Sequence, residues 1–141
     1  MTKISEKFVE KQIEELKARE EVRAIAVFGS YARDPEADHN DLDIYVIVEG
    51  SWRKMETEEF NGVVVEKFFN SMEWAESYLE DEVKWPYPPR WFLNPDIRFD
   101  PENLFEKLRR KAEEVKEEKL DEEIDEEHLT YTLWDMKQDI E

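Results

Sequence analysis

Apolar residues along this chain recur with two different periods, which predicts helices alternating with strands. An opening helix with Ser5 as its cap is predicted by apolar residues at roughly helical intervals between charged ones. These apolar residues are Ile4, Phe8, Ile13 and Leu16. The continuous apolar run from Val22 to Phe28 predicts a buried central strand, and the run from Ile44 to Val48 predicts a second strand.

A hairpin follows the second strand. Asn61-Gly62 separates two runs, 54–60 and 63–69, and this dipeptide favours a type I′ turn because both of its central residues need positive φ. The pattern next predicts a helix over residues 71–82, with Ser71 as its N-cap.

The core is predicted to end with a short strand at residues 97–99 and a helix running to about Lys119. Asp100 is the expected N-cap of that helix and Pro101 its first residue. Together these elements predict an α/β (α+β) fold, a small mixed sheet of four or five strands with helices packed on one face.

Two segments do not fit this core. Residues 85–92 combine prolines with aromatic residues, which suggests either a lid over a nucleobase or an aromatic plug or docking patch. Residues 120–141 carry an apolar stripe from Leu129 to Ile140 at helical spacing, and a lone helix cannot bury that face. We therefore predict a domain at 1–119 and a C-terminal helical segment at 120–141, which folds back, dimerises, docks a partner or begins a helical domain.

Composition narrows the classes of function. The 141 residues carry a net charge of −18, which disfavours long nucleic acid as a partner because its backbone is also anionic. The absence of cysteine excludes disulfides and thiolate sites. No signal segment and no run of membrane-spanning length is present, so we expect a cytoplasmic protein without a membrane partner.

Candidate chemistry lies around the second strand. Gly29-Ser30 ends the first apolar run, ten residues follow, and Asp41-Leu42-Asp43 leads into the second run. Residues two apart on a strand share a face, so Asp41 and Asp43 form a carboxylate pair suited to Mg²⁺ carrying a triphosphate. Gly29-Ser30, where a strand gives way to a turn or helix, offers backbone N–H groups and a hydroxyl to phosphate oxygens.

Other families with an Asp-x-Asp are excluded by the order of the motif. In haloacid-dehalogenase-like phosphatases and many glycosyltransferases the apolar strand precedes the acids, whereas here it follows them. Dinucleotide-binding and P-loop spacings are excluded because the only glycines are Gly29, Gly50 and Gly62.

The motif resembles that of the polymerase-beta-like nucleotidyltransferase superfamily, particularly its minimal and antibiotic nucleotidyltransferases. Gly-Ser, ten residues and Asp-x-Asp match, as does the run ending in Arg33, and the resemblance covers roughly residues 20–119. It implies that Asp41, Asp43 and a third carboxylate, Glu66, hold two Mg²⁺ ions and are catalytic. It also implies that Gly29, Ser30 and Arg33 bind the nucleotide. The alternative for Glu66 is the solvent face of an edge hairpin.

The expected function is metal-dependent transfer of a nucleoside monophosphate, AMP from ATP, to a hydroxyl of a small molecule or partner protein. The alternative is an antitoxin or a catalytically idle nucleotide-binding module that acts by binding a helical partner protein. Three acids in one site also predict that at least one of their pKa values is raised.

Overall fold

The computed structural model describes residues 4–50, 52–80 and 95–122, with side chains described as far as residue 115. The aromatic segment 85–92 and the stripe from Leu129 to Ile140 lie outside the described residues. The helices are α1 (Glu6–Lys17), α2 (Gly29–Arg33), α3 (Met72–Glu80) and α4 (Leu104–Glu122). The strands are β1 (Val22–Phe28), β2 (Asp41–Val48), β3 (Arg53–Phe60), β4 (Val63–Ser71) and β5 (Asp96–Phe99).

The strands form one mixed sheet in the order β3-β4-β2-β1-β5. β2 and β4 are parallel, and every other neighbouring pair is antiparallel. The hairpin partner β3 takes the outer position, so β4 lies inside the sheet between β3 and β2. The predicted mixed sheet of four or five strands is confirmed.

Helices cover both faces of this sheet, which corrects the expectation that they pack on one face. On β1, Ile25 and Val27 belong to a cluster with residues of α1 and α2. Ala24 and Ala26 point the other way and belong to a cluster with residues of α3 and α4. The reason is the continuous apolar run of the central strand, which would expose one row of side chains if a single layer of helices were present.

The predicted turn and cap residues take the conformations that the sequence suggests. Asn61 and Gly62 have φ values of 48° and 89°, as the hairpin turn requires. Ser5 Oγ accepts a hydrogen bond from the Phe8 amide at 3.1 Å, and Ser71 Oγ accepts one from the Trp74 amide at 3.1 Å. Local sequence therefore sets where the hairpin turns and where α1 and α3 begin.

The last helix begins later than predicted. It starts at Leu104 rather than Pro101, after Asn103 in a left-handed conformation with φ 57°. Asp100 still caps it from a distance, since its two carboxylate oxygens accept from the amides of Leu104 at 2.7 Å and Phe105 at 2.9 Å. One carboxylate reaching across a turn satisfies two first-turn donors, so Pro101 need not be helical.

α4 continues to Glu122, so the predicted domain boundary at 119/120 falls inside a helix. Residues 123–141 lie outside the described part of the chain, and the division into two pieces stays a prediction. No helix within the described residues is long and apolar enough to cross a membrane.

Candidate active site

The predicted acids meet across two parallel strands. β2 begins at Asp41, so the Asp-x-Asp lies within the strand rather than before it, and Asp43 pairs in register with Glu66 of β4. Asp41 is exposed at the first position of β2, opposite Val64. Because β4 is an interior strand, Glu66 does not lie on the free edge of a hairpin.

Burial and neighbouring charges perturb the Asp43 carboxyl. Its pKa is raised to about 6, first by burial and then by the negative charges of Glu66 and Asp41. A hydrogen bond to Glu66, which favours the protonated form of Asp43, raises this pKa further, and the positive charge of Arg33 lowers it. The expectation of at least one raised carboxyl pKa agrees with this result. The pair thus concentrates negative charge that the surrounding residues only partly neutralise.

Gly29 lies directly against Asp43. Its φ is 78°, and a Cβ built there would overlap Asp43 Oδ2 and lie 3.2 Å from Asp43 Cγ. Phe28, the residue before it, pairs with Asp43 in the sheet. The first helical residue of α2 can approach the carboxylate only because it has no side chain, so the two halves of the motif form one site.

Ser30 and Arg33 border the same site from α2. Ser30 is exposed in the first turn, and no side chain caps this helix among the residues that the structure describes. Arg33 is exposed at the last position of α2, and its charge lowers the pKa of Asp43. The first turn of α2 and the Arg33 guanidinium therefore lie near Asp43, and the exposed Ser30 follows Gly29 directly.

Tyr31 anchors this short helix to the rest of the fold. Its side chain is buried, and its hydroxyl donates to Glu6 Oε2 of α1 at 2.7 Å. Burial and this bond raise the pKa of Tyr31 to about 12. Glu6 also pairs with Arg98 of β5, which lowers the pKa of Glu6, and Arg98 in turn pairs with Asp96 at 3.0 Å. The orientation of α2 thus depends on an ion-pair network on the face of the sheet that carries α1.

Replacing Tyr31 with Phe is expected to lower the free energy of unfolding by about 1 kcal/mol, because one hydrogen bond is lost while Glu6 keeps its partner Arg98. For a domain of this size the melting temperature should fall by about 3 °C. Thermal unfolding followed by circular dichroism measures it. An unchanged melting temperature would mean that the hydroxyl contributes nothing to holding α2.

The donor set fits a cation that binds through few protein ligands. Within the described residues, no three His, Cys, Asp or Glu side chains are gathered into a preformed metal site. Asp43 and Glu66 nevertheless place two carboxylates together. Mg²⁺ is commonly held by one or two carboxylates, with substrate phosphates and water completing its shell. The residues present fit that arrangement.

Sequence reasoning missed a cavity on the same face of the sheet. It has a volume of about 480 Å³, and its lining includes Tyr45 and Phe68, which lie two positions further along β2 and β4 than Asp43 and Glu66. The alternation Glu66-x-Phe68-x-Asn70 in β4 was the available signal, since these residues share one face. Its lining residues are Phe28, Tyr45, Arg53, Lys54, Met55, Phe68, Asn70, Trp74 and Tyr78.

Comparisons with known proteins agree with this geometry. Seven chains of solved structures match, among them a nucleotidyltransferase-like protein from Exiguobacterium sibiricum 255-15. That likeness has a TM-score of 0.57 at 15% identity and covers 74% of this chain, so it shows the fold alone. The chain spans about 37% of the length of that protein. Comparison with curated proteins finds no match.

The family described as "Polymerase beta, Nucleotidyltransferase" matches residues 10–80. This range is half of the chain and runs from α1 to the end of α3, so it contains both halves of the motif and the third acid. The chain therefore belongs to the polymerase-beta nucleotidyltransferase family.

Proposed function

We propose that this domain transfers a nucleoside monophosphate, AMP from ATP, to a hydroxyl acceptor in a Mg²⁺-dependent reaction. The observation that carries the proposal is that two carboxylates and the first residue of α2 lie together. Asp43 pairs with Glu66, and Gly29 lies against Asp43 at the start of α2. Carboxylates suited to a cation and N–H groups suited to phosphate then face the same small volume.

Each residue has a role that follows from its position. Asp41 and Asp43 would hold Mg²⁺, and Glu66 would share a second ion. When bound, Mg²⁺ would neutralise the phosphate charge that otherwise repels these acids. Ser30 and the backbone of Gly29 would hold the terminal phosphates, with Arg33 offsetting their charge at the other end of α2.

The proposed reaction is a single displacement. The acceptor oxygen forms a bond to the α-phosphorus, and the bond from that phosphorus to the bridging oxygen of the β-phosphate breaks, so pyrophosphate leaves with the electron pair. Glu66 accepts the proton of the acceptor hydroxyl. The protein contributes chiefly orientation and charge compensation, which supply most of the rate enhancement in phosphoryl-transfer sites.

Glu66→Gln is expected to lower the transfer rate by about 10³-fold or more, since it removes both a ligand charge and the proton acceptor. The assay follows label from [α-³²P]ATP into a panel of hydroxyl acceptors, with Mg²⁺ present. [γ-³²P]ATP serves as the control, because its label should appear only in pyrophosphate.

The matched control variant is Glu10→Gln, which makes the same chemical change at an exposed position of α1. α1 covers the opposite face of the sheet from the acids. It should leave the transfer rate unchanged. Wild-type turnover in Glu66→Gln would remove Glu66 from the reaction, and label transfer from the γ-position would show a kinase instead.

A further inference from the structure

The cavity lies on a face of the sheet that carries three successive cross-strand rows, and the acids form the first of these rows. The first row joins Asp43 to Glu66. The next row along the strands joins Tyr45, Phe68 and Met55, and the third joins Asn70 to Arg53. Side chains of paired residues lie on the same face, so acidic, aromatic and cationic groups follow one another along the strands, and the aromatic and cationic groups line the cavity.

Aromatic side chains make up most of the wall of this cavity. Phe28 contacts Phe68 edge to face, with ring centroids 5.5 Å apart, and Tyr45 contacts Phe28 at 6.3 Å. Trp74 and Tyr78 contribute further aromatic surface from α3. Rings in such arrangements favour a flat, unsaturated ligand, because it gains contact area with little loss of conformational freedom.

The far end of the cavity carries a cation. The Arg53 guanidinium lies 5.0 Å from the centre of the Trp74 ring. No carboxylate among the described residues forms an ion pair with Arg53, whereas its neighbour Lys54 pairs with Glu56 at 3.3 Å. In a chain with a net charge of −18, a guanidinium that pairs with no described carboxylate is available to an anionic group.

A polar acceptor also faces this end. Asn70 is buried with 6% of its surface exposed and hydrogen-bonds the Tyr45 hydroxyl, while its Oδ1 has no hydrogen-bond partner among the described residues. A buried amide oxygen without a donor is costly, and a ligand N–H or O–H would satisfy it.

The position of the cavity relative to α2 decides which substrate it suits. Gly29 approaches Asp43 from the β1 side, whereas seven of the nine residues that line the cavity belong to β3, β4 and α3. In an in-line displacement the leaving pyrophosphate and the attacking hydroxyl occupy opposite sides of the α-phosphorus. With the terminal phosphates at α2, the attacking hydroxyl approaches from the side of Glu66 and the cavity.

We propose that this cavity is the acceptor site, and that the acceptor is a flat aromatic molecule with a hydroxyl directed at Glu66 and an anionic group held by Arg53. The inference rests on the proposed function. Glu66 and Asn70 are four residues apart on β4, or roughly 13 Å between their Cα atoms, which suits a molecule of one or two fused rings. The hydroxyl oxygen bonds to the α-phosphorus of the nucleoside triphosphate, pyrophosphate leaves, and Glu66 takes the hydroxyl proton.

The test uses 6-hydroxy-2-naphthoate, a fluorescent probe with a hydroxyl and a carboxylate at opposite ends of a flat ring system, and its neutral methyl ester. The expected result is that Arg53→Gln weakens naphthoate binding about tenfold, a typical loss for one charge-assisted contact. The ester should bind more weakly to wild type and equally to both proteins. Affinity for ATP with Mg²⁺ should not change.

Two further variants sharpen the comparison. Arg110→Gln removes one positive charge at an exposed position of α4, so it controls for net charge and should leave naphthoate binding unchanged. Arg53→Lys keeps the charge but not the guanidinium over the Trp74 ring, and its affinity for naphthoate should fall between those of wild type and Arg53→Gln. Unfolding temperatures of all variants check that the fold is kept.

A second probe, 4-hydroxycinnamate, carries the same two groups on a single ring. The proposal is overturned if both naphthoate and this probe fail to bind, or if Arg53→Gln leaves naphthoate binding unchanged. It is also overturned if Arg53→Gln weakens ATP binding instead, because the cavity would then hold the nucleotide.

Repeating the titrations on Asp43→Asn separates binding from turnover. If label never moves to any acceptor while Arg53-dependent binding persists, the proposed function fails and the anion site stands. If label moves to uncharged acceptors equally in wild type and Arg53→Gln, the proposed function stands and the acceptor inference falls.

Discussion

Asp43→Asn is expected to raise the melting temperature of the metal-free protein at pH 7 by about 7 °C and to abolish transfer. The reason is that the carboxylate charge is needed for the reaction but destabilises the folded protein. The pKa of Asp43 is raised from 3.8 to about 6 by burial and by neighbouring acids. This shift corresponds to about 3 kcal/mol, and because solvent screens the partly exposed carboxylate, holding it ionised at neutral pH costs about 2 kcal/mol of stability. An amide of the same shape removes the charge and keeps the packing.

The sign of the effect sets its pH window. A carboxyl whose folded pKa lies above its unfolded value destabilises the fold at pH values above both, and the penalty disappears as pH falls. The difference in melting temperature between Asp43→Asn and wild type should accordingly be full above about pH 6 and vanish below about pH 4. Thermal scans of both proteins at several pH values between about 3.5 and 8 measure this difference in melting temperature.

Mg²⁺ with ATP should reverse the order at neutral pH, because ligands that bind only the folded state stabilise the protein that retains the site. Wild type should gain stability and Asp43→Asn little. If Asp43→Asn is instead destabilised without metal, and ligands shift both proteins equally, then Asp43 is a structural hydrogen-bonding group and the site lies elsewhere.

Gly29→Ala is expected to lower the free energy of unfolding by about 2–4 kcal/mol, the sum of two separate costs. The positive φ of 78° is unfavourable for alanine, and the added methyl group would overlap Asp43 Oδ2. Displacing Asp43 also disturbs its pairing with Glu66, so transfer should be lost as well. Denaturant unfolding and the label-transfer assay measure the two effects.

Gly62→Ala provides the matched control. Gly62 has a similar φ of 89°, but an added Cβ meets no atom within 4 Å. It should cost only the backbone term of about 1–2 kcal/mol and leave transfer intact. Combining Gly29→Ala with Asp43→Ala should recover part of the lost stability, because the overlapping carboxylate is gone. Equal costs at Gly29 and Gly62 would show that the contact with Asp43 does not constrain the fold.

The local elements were predictable because each depends on residues close together in sequence. The apolar run from Val22 to Phe28 coincides with β1, and Asn61-Gly62 places the hairpin turn. The late start of α4 was not predictable, since Asp100 caps it across a turn that Asn103 completes with a positive φ. A capping residue that reaches across a turn does not lie at a fixed number of residues before the helix, so no simple sequence pattern identifies it.

By itself, the sequence determined that Asp41 and Asp43 share a face and that Gly29-Ser30 follows a buried strand, because both statements need only the period of a single strand. Only the tertiary structure decided that Glu66 lies opposite Asp43, through the parallel pairing of β2 with β4. The same pairing aligns the cavity that leads to Arg53. Strand register is set by contacts between segments distant along the chain, and shifting it by one residue would move Glu66 to the other face.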